Sequence, residues 1–294
     1  MEFDEQTSKE YSPRMWVKRL SEKQVLDNHI AFINRVCKIV KSEVPNLLDV
    51  QYGEKPTNLI DMYGTDLPKD SPICVWIHGG YWTIFSKNEN NYMVTPLWRA
   101  KIKTYLPEYD LVPKVCLEET MNDAKVMAKF VLQSAAENNV KSVWFGGHSA
   151  GAHLSACLLE EQWLTELPEA CRNCFKGLFL ISGIYDLMPL LRTERNDYLK
   201  LDRTRATLLS PINHLKDFIK MSLLDENFKA IVAVGEHESP AFINQSYEFA
   251  QALQKVNING KYRYMKDIDH FDIVERLADD NYELMQELIS LMKQ

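Results

Sequence analysis

The sequence predicts an α/β protein: a mostly parallel central sheet with helices on both faces and a small helical insertion. Short apolar runs recur along the chain, glycines close most of them, and amphipathic segments lie between them. Runs apolar on both faces suit central strands of a parallel sheet. Alternation of such strands with helices puts a helical layer on each face.

The first element is a helix over 22–43, with Val25, Ile30, Ile33, Val36 and Val40 at roughly helical spacing and Pro45 beyond its end. Two short strands follow, Asp49–Tyr52 and Asn58–Tyr63, around a Gly/Lys/Pro turn. Ile73–Ile77 is the first fully apolar run, bounded by Pro72 and by Gly79 and Gly80. A helix over Leu117–Glu137 leads to Val143–Phe145, which enters Gly146-Gly147, and a helix over Ala150–Glu161 comes next. Leu178–Ile181 and Ile231–Val234 are further strands, closed by Gly183 and Gly235. A helix over Gln245–Val256, a strand over Tyr262–Met265 and a last helix over Asp272–Met292 complete the series. Residues 186–220 are charged and Arg-rich with no clear strand; they read as a helical lid over the strand ends. No repeat or low-complexity linker divides the chain, so 1–294 reads as one domain.

Composition narrows the function. A chain of 294 residues buries roughly three quarters of its unfolded surface, so its core needs no staples. With 34 basic and 41 acidic residues and a net charge of −7, it offers no basic face for nucleic acid. No run of 18 apolar residues suggests a membrane span. The polar, acidic start lacks the basic and apolar regions of a signal peptide, and the expected compartment is cytoplasmic. The six cysteines then read as reduced thiols, and Cys171-Arg-Asn-Cys174 lacks the second ligand pair that zinc would need.

In open α/β sheets, chemistry sits beyond the carboxyl ends of the strands. There the chain carries Gly147-His148-Ser149-Ala150-Gly151, a G-x-S-x-G between a strand and a helix. That context is the nucleophile elbow, which lifts Ser149 onto a sharp turn at a helix N-terminus. His78-Gly79-Gly80-Tyr81-Trp82 ends an earlier strand and supplies amides for an oxyanion. The expected donors are Gly79, Gly80 and Ala150, the residue after the nucleophile. The base should come late in the chain. His153 lies one turn past the serine and should pack under the elbow, and His214 falls in the insertion. His270 stands between the last strand and last helix, and is the expected base. The acid follows from Glu236-His237-Glu238 past an earlier strand. Glu238 is the choice, with Asp267 and Asp269 as alternatives on the base's own loop.

Further segments point the same way. They are Glu10-Tyr-Ser-Pro-Arg-Met-Trp16, Tyr52-Gly53 before Leu59–Tyr63, Tyr109-Asp-Leu-Val-Pro113, Gly183-Ile-Tyr-Asp-Leu187, Ser210-Pro211, Glu238–Ser246 and Asp269-His-Phe-Asp-Ile273. Together with the two glycine motifs they resemble the kynurenine formamidases (arylformamidases), α/β-hydrolases of tryptophan catabolism, over nearly the whole chain. The resemblance implies hydrolysis of N-formyl-L-kynurenine to L-kynurenine and formate, with Ser149 as nucleophile, His270 as base and Glu238 as acid. That family generally has Asp where this chain has Glu238. No metal or organic cofactor is implied, and the partner is a small-molecule substrate; a homodimer is left open, and nucleic acid and membrane are not expected. Tyr81, Trp82 and Tyr185 are candidates for the aryl wall, and Arg192 or Arg195 for the substrate carboxylate. His78 and Asp186 are expected to hold their loops. The same triad also serves broad carboxylesterases, so the leaving-group pocket decides between the two.

Overall fold

The computed structural model describes residues 3–215 and 223–294. Eight strands form one sheet: β1 (Asn46–Gln51), β2 (Leu59–Tyr63), β3 (Ile73–Ile77), β4 (Lys103–Pro107), β5 (Val143–His148), β6 (Phe175–Ile181), β7 (Lys229–His237) and β8 (Asn259–Asp269). Their order is β1-β2-β4-β3-β5-β6-β7-β8. β2 is antiparallel to both of its neighbours, and from β4 to β8 every pairing is parallel. The chain order reverses at β3, which has β4 on one side and β5 on the other. The crevice beyond such a reversal is where open sheets bind ligands.

Alternation along each strand builds two cores. Ile73, Val75 and Ile77 face one cluster while Cys74 and Trp76 face the other, and all five are buried. The first cluster lies under α3 (Leu117–Glu137), α4 (Ala150–Ala156) and α5 (Pro240–Lys255). The second lies under α2 (Glu22–Glu43) and α6 (Glu283–Met292). A short α1 (Glu5–Glu10) precedes them. The start of α2 has a local cause: Ser21 and Gln24 form a reciprocal capping box. No helix among the described residues is long and apolar enough to cross a membrane.

Several predicted elements differ in detail. α2 has the expected ends but a rotated face: Val25, His29, Ile33, Cys37 and Val40 are buried, whereas Ile30 is 46% exposed. β4 had no predicted counterpart. The helix after the serine ends at Ala156 and breaks through a 3-10 turn, Cys157–Leu159, before Glu161–Glu166. The predicted last helix divides into Asp272–Glu275, a 3-10 turn Arg276–Ala278 and α6, where Asp279 and Asn281 form a turn. The predicted insertion carries only short helical segments as far as His214, and its final part, 216–220, lies outside the described residues. The six cysteines are free thiols.

The elbow is seated by a close backbone approach. A Cβ on Gly151, in the first turn of α4, would stand 2.0 Å from the Ile77 carbonyl oxygen and 2.7 Å from that of His78. Only glycine lets α4 lie against the end of β3. Gly151→Ala should therefore destabilise the fold by on the order of 3 kcal/mol, the upper range for overpacking. Urea unfolding checks this, and an unchanged midpoint contradicts it.

Candidate active site

Ser149 follows β5 with φ 54° and ψ −115°, a region that L-residues rarely occupy. Its N–H donates to the Ile181 carbonyl at 2.8 Å, and its carbonyl accepts from His153 N at 3.1 Å. The strand end and the new helix thus hold the turn from both sides. Gly79 lies directly opposite: a Cβ there would meet the His148 carbonyl oxygen at 2.8 Å and Ser149 Cβ at 3.3 Å. Gly80 has φ 100°. Among the described residues, the N–H groups of Gly79, Gly80 and Ala150 make no hydrogen bond. Three unused backbone donors therefore gather near the serine.

His78 carries the glycine loop. Its ring stacks on Tyr109 at 4.2 Å, Nε2 pairs with Glu108 at 3.2 Å, and the Tyr109 hydroxyl donates to the His78 carbonyl at 3.0 Å. Asp186, likewise expected to hold its loop, accepts from Met188 N at 2.9 Å and donates its own N–H to Gln245.

β8 runs four residues past its predicted end and delivers His270 at its tip. Glu238 stands just past β7, and its Oε2 lies 2.6 Å from His270 Nδ1. The other oxygen, Oε1, accepts from Ser182 Oγ at 2.6 Å and Gly235 N at 2.8 Å. Both carboxylate oxygens are engaged, so the longer glutamate is held where it meets the imidazole. The alternative acids lie elsewhere. Asp269 is turned to Arg19 at 2.6 Å and to the Phe271 and Asp272 amides, each at 2.9 Å. Burial opposes its ionisation, but Arg19 and the two amides hold its carboxyl below the usual carboxylate range. Asp267 is exposed, and its N–H donates to Glu236.

Ser149, Gly79, Gly80, Tyr81, His270 and Arg195 share the wall of a cavity of about 280 Å³. Two predicted wall residues are elsewhere. Trp82 is fully buried against His153, and Tyr185 is fully buried with its ring stacked on Phe249 at 4.2 Å. Their size and apolarity place them in the core. His153 packs under the elbow as expected, with Nε2 on the Leu209 carbonyl. Arg192 pairs with Asp4 at the surface, and His214 caps Leu208.

The cavity also has walls that the sequence reading missed. Ser12, Pro13 and Arg14 close it from the N-terminal segment, and His29 and Ile33 from α2; the predicted lid contributes Glu194 and Arg195. The N-terminal segment is tied down by the Tyr81 hydroxyl, which donates to the Tyr11 carbonyl, and by Gln245 Nε2, which donates to Tyr11 Oη at 2.5 Å. Arg19 clamps it to Asp269 and Glu275 beside His270. The i, i+4, i+8 row Val25-His29-Ile33 was the available signal for His29. His148, beside the nucleophile in the motif itself, packs its ring 4.4 Å from that of His270.

Burial keeps two elbow histidines neutral. It drives His148 well below the ordinary value of 6.5, helped by the repulsion its charged form would meet from a charged His270, and pushes His153 down to about 4.

The sheet order, the strained serine between strand and helix, and the cavity at the strand ends define an α/β hydrolase. The family model for that fold matches residues 74–271. The kynurenine formamidase of Salmo salar is 32% identical over 294 residues, spanning 98% of this chain and 96% of its own. That of Danio rerio is 31% identical, spanning 96% and 94%. A solved bacterial structure assigned as a thioesterase, from Silicibacter sp., matches with a TM-score of 0.70 at 26% identity, over 91% of this chain and 92% of its own. The chain belongs to the kynurenine formamidase family.

The buried histidines predict how stability depends on pH. The unfolded chain binds a proton at His153 near pH 6.5, whereas the folded chain binds it only near 4. Stability is therefore complete above 6.5 and is lost as pH falls from 6.5 towards 4, by on the order of 3 kcal/mol for this group. His153→Gln should flatten the loss over that window, measured by denaturant unfolding at each pH. An identical pH slope in wild type and variant contradicts this.

Proposed function

We propose that the enzyme hydrolyses the aryl formamide N-formyl-L-kynurenine to L-kynurenine and formate, with Ser149 as nucleophile, His270 as base and Glu238 as its orienting acid. The observation that carries the reading is the 2.6 Å bond from Glu238 to His270 Nδ1, on a histidine that shares its cavity wall with Ser149. Family membership supplies the substrate.

The chemistry follows from these groups. Glu238 fixes the proton on Nδ1 and leaves Nε2 free to accept the Ser149 hydroxyl proton. Ser149 Oγ attacks the formyl carbon, and the unused amides of Gly79, Gly80 and Ala150 receive the negative charge that develops on the formyl oxygen. Collapse breaks the C–N bond as His270 returns the proton to the arylamine nitrogen. An arylamine with an ortho carbonyl leaves far more readily than an alkyl amine, so a triad suited to esters can cleave this amide. Water, deprotonated by His270, then attacks the formyl-serine ester; formate departs and Ser149 recovers its proton. The formyl group is the smallest acyl group, which suits a cavity of about 280 Å³ whose remaining space must hold the aryl amino acid. Tyr81 on the wall supports an aryl-facing role, and the segment carrying Glu194 and Arg195 supports a partial cover from the insertion.

Kynurenine and formate release measures the proposal. Ser149→Ala should lower kcat by roughly 10⁴- to 10⁶-fold, and Glu238→Ala by about 10⁴-fold, with Glu238→Asp much milder. Near-normal turnover by Ser149→Ala rejects the nucleophile, and wild-type behaviour of Glu238→Ala rejects the acid.

A further inference from the structure

Arg195 is out of place as a surface arginine. It lines the cavity with Ser149 and His270, and its guanidinium carbon lies 4.5 Å from the centre of the Tyr81 ring. One nitrogen, Nη1, donates to the Tyr198 hydroxyl at 3.1 Å, while the buried Nε–H has no acceptor. Among the described residues no carboxylate lies within 4.0 Å of it. The contrast with other arginines is direct: Arg19 is paired with Asp269, Arg192 with Asp4, Arg205 with Glu118 and Arg263 with Glu287. Arg14, the other arginine on the cavity wall, is more than half exposed and faces Glu22.

A guanidinium is always charged and presents its donors as a planar fork matched to a carboxylate. Holding it partly out of water with a donor unused is costly unless an anion completes the site. Tyr81 fixes the plane from one side and Tyr198 fixes one nitrogen, so the fork is oriented before anything binds. Glu194, the preceding residue, lies on the same wall but is exposed and not paired with it. Two opposite charges on one wall suit a head group carrying both a carboxylate and an ammonium.

We propose that Arg195 is the specificity-determining residue for the amino-acid head group: its guanidinium takes the α-carboxylate of the substrate and sets the formamide against Ser149. The inference rests on the aryl formamidase reading and selects, within aryl formamides, those that bear a carboxylate. It also gives a reason for the rotation of Tyr81 into the cavity at φ 51°, since the ring that orients Arg195 is then next to the glycine loop.

The test compares N-formyl-L-kynurenine with its α-carboxamide, which has the same formanilide and no negative charge. Wild-type enzyme should prefer the carboxylate by roughly 10- to 100-fold in kcat/KM, the range for a hydrogen bond to a charged group, and mainly through KM. Arg195→Met should bring the ratio close to one, and Arg195→Lys should restore part of it. Arg195→Gln, which retains a donor for Tyr198, is read in the same way and serves where the methionine variant does not fold. Undiminished preference in a folded neutral variant overturns the inference, as does a wild-type enzyme that treats both compounds alike. Absence of turnover of either compound by wild type instead overturns the reading of the reaction.

Discussion

Everything at the site depends on how closely two strand ends approach. β3 and β5 are neighbours in the sheet, and each ends in glycine-rich backbone that the other presses against. Gly151 lets the first turn of α4 touch the Ile77 carbonyl, and Gly79 lies against the His148 carbonyl and Ser149 Cβ. A side chain at either position would push the serine away from the amides that face it. The strained backbone of Ser149 is held by this contact and by the bond from its N–H to β6. The elbow is thus a consequence of sheet order, since only a reversal at β3 brings these two ends together.

The second half of the site arrives from further along the sheet. β7 and β8 are paired over most of their lengths, with a register shift after Gly235 that brings His237 opposite Asp269. Glu238 and His270, each one residue further on, then meet at 2.6 Å. Asp269 is kept out of competition by Arg19, which reaches it from 250 residues away in sequence. The same arginine fastens the N-terminal segment over the cavity. One ion pair therefore keeps the rival carboxylate occupied and helps build the wall on that side.

Much of this was legible in sequence, for stated reasons. β3, β5 and the elbow were marked by apolar runs ending in glycine, and α2 by its apolar spacing and the proline beyond its end. β4 was missed because Lys103 and Thr104 interrupt its apolar pattern, although all five residues are buried. The break before α6 was missed because apolar spacing continues across Asp279–Tyr282. His29 was overlooked because the face of α2 was read from its aliphatic residues alone, which rotates it towards Ile30. Trp82 and Tyr185 show the limit for aromatics: composition cannot say whether a ring lines a cavity or fills a core. The cavity's roof depends on contacts between distant segments, which leave no periodic trace in the chain.

The most direct test of the account is covalent labelling by a fluorophosphonate, read by peptide mass spectrometry with and without N-formyl-L-kynurenine. The account predicts one adduct per chain, on Ser149, slowed by the substrate in a concentration-dependent way. Labelling at another residue, or labelling of Ser149 that the substrate does not slow, would contradict it.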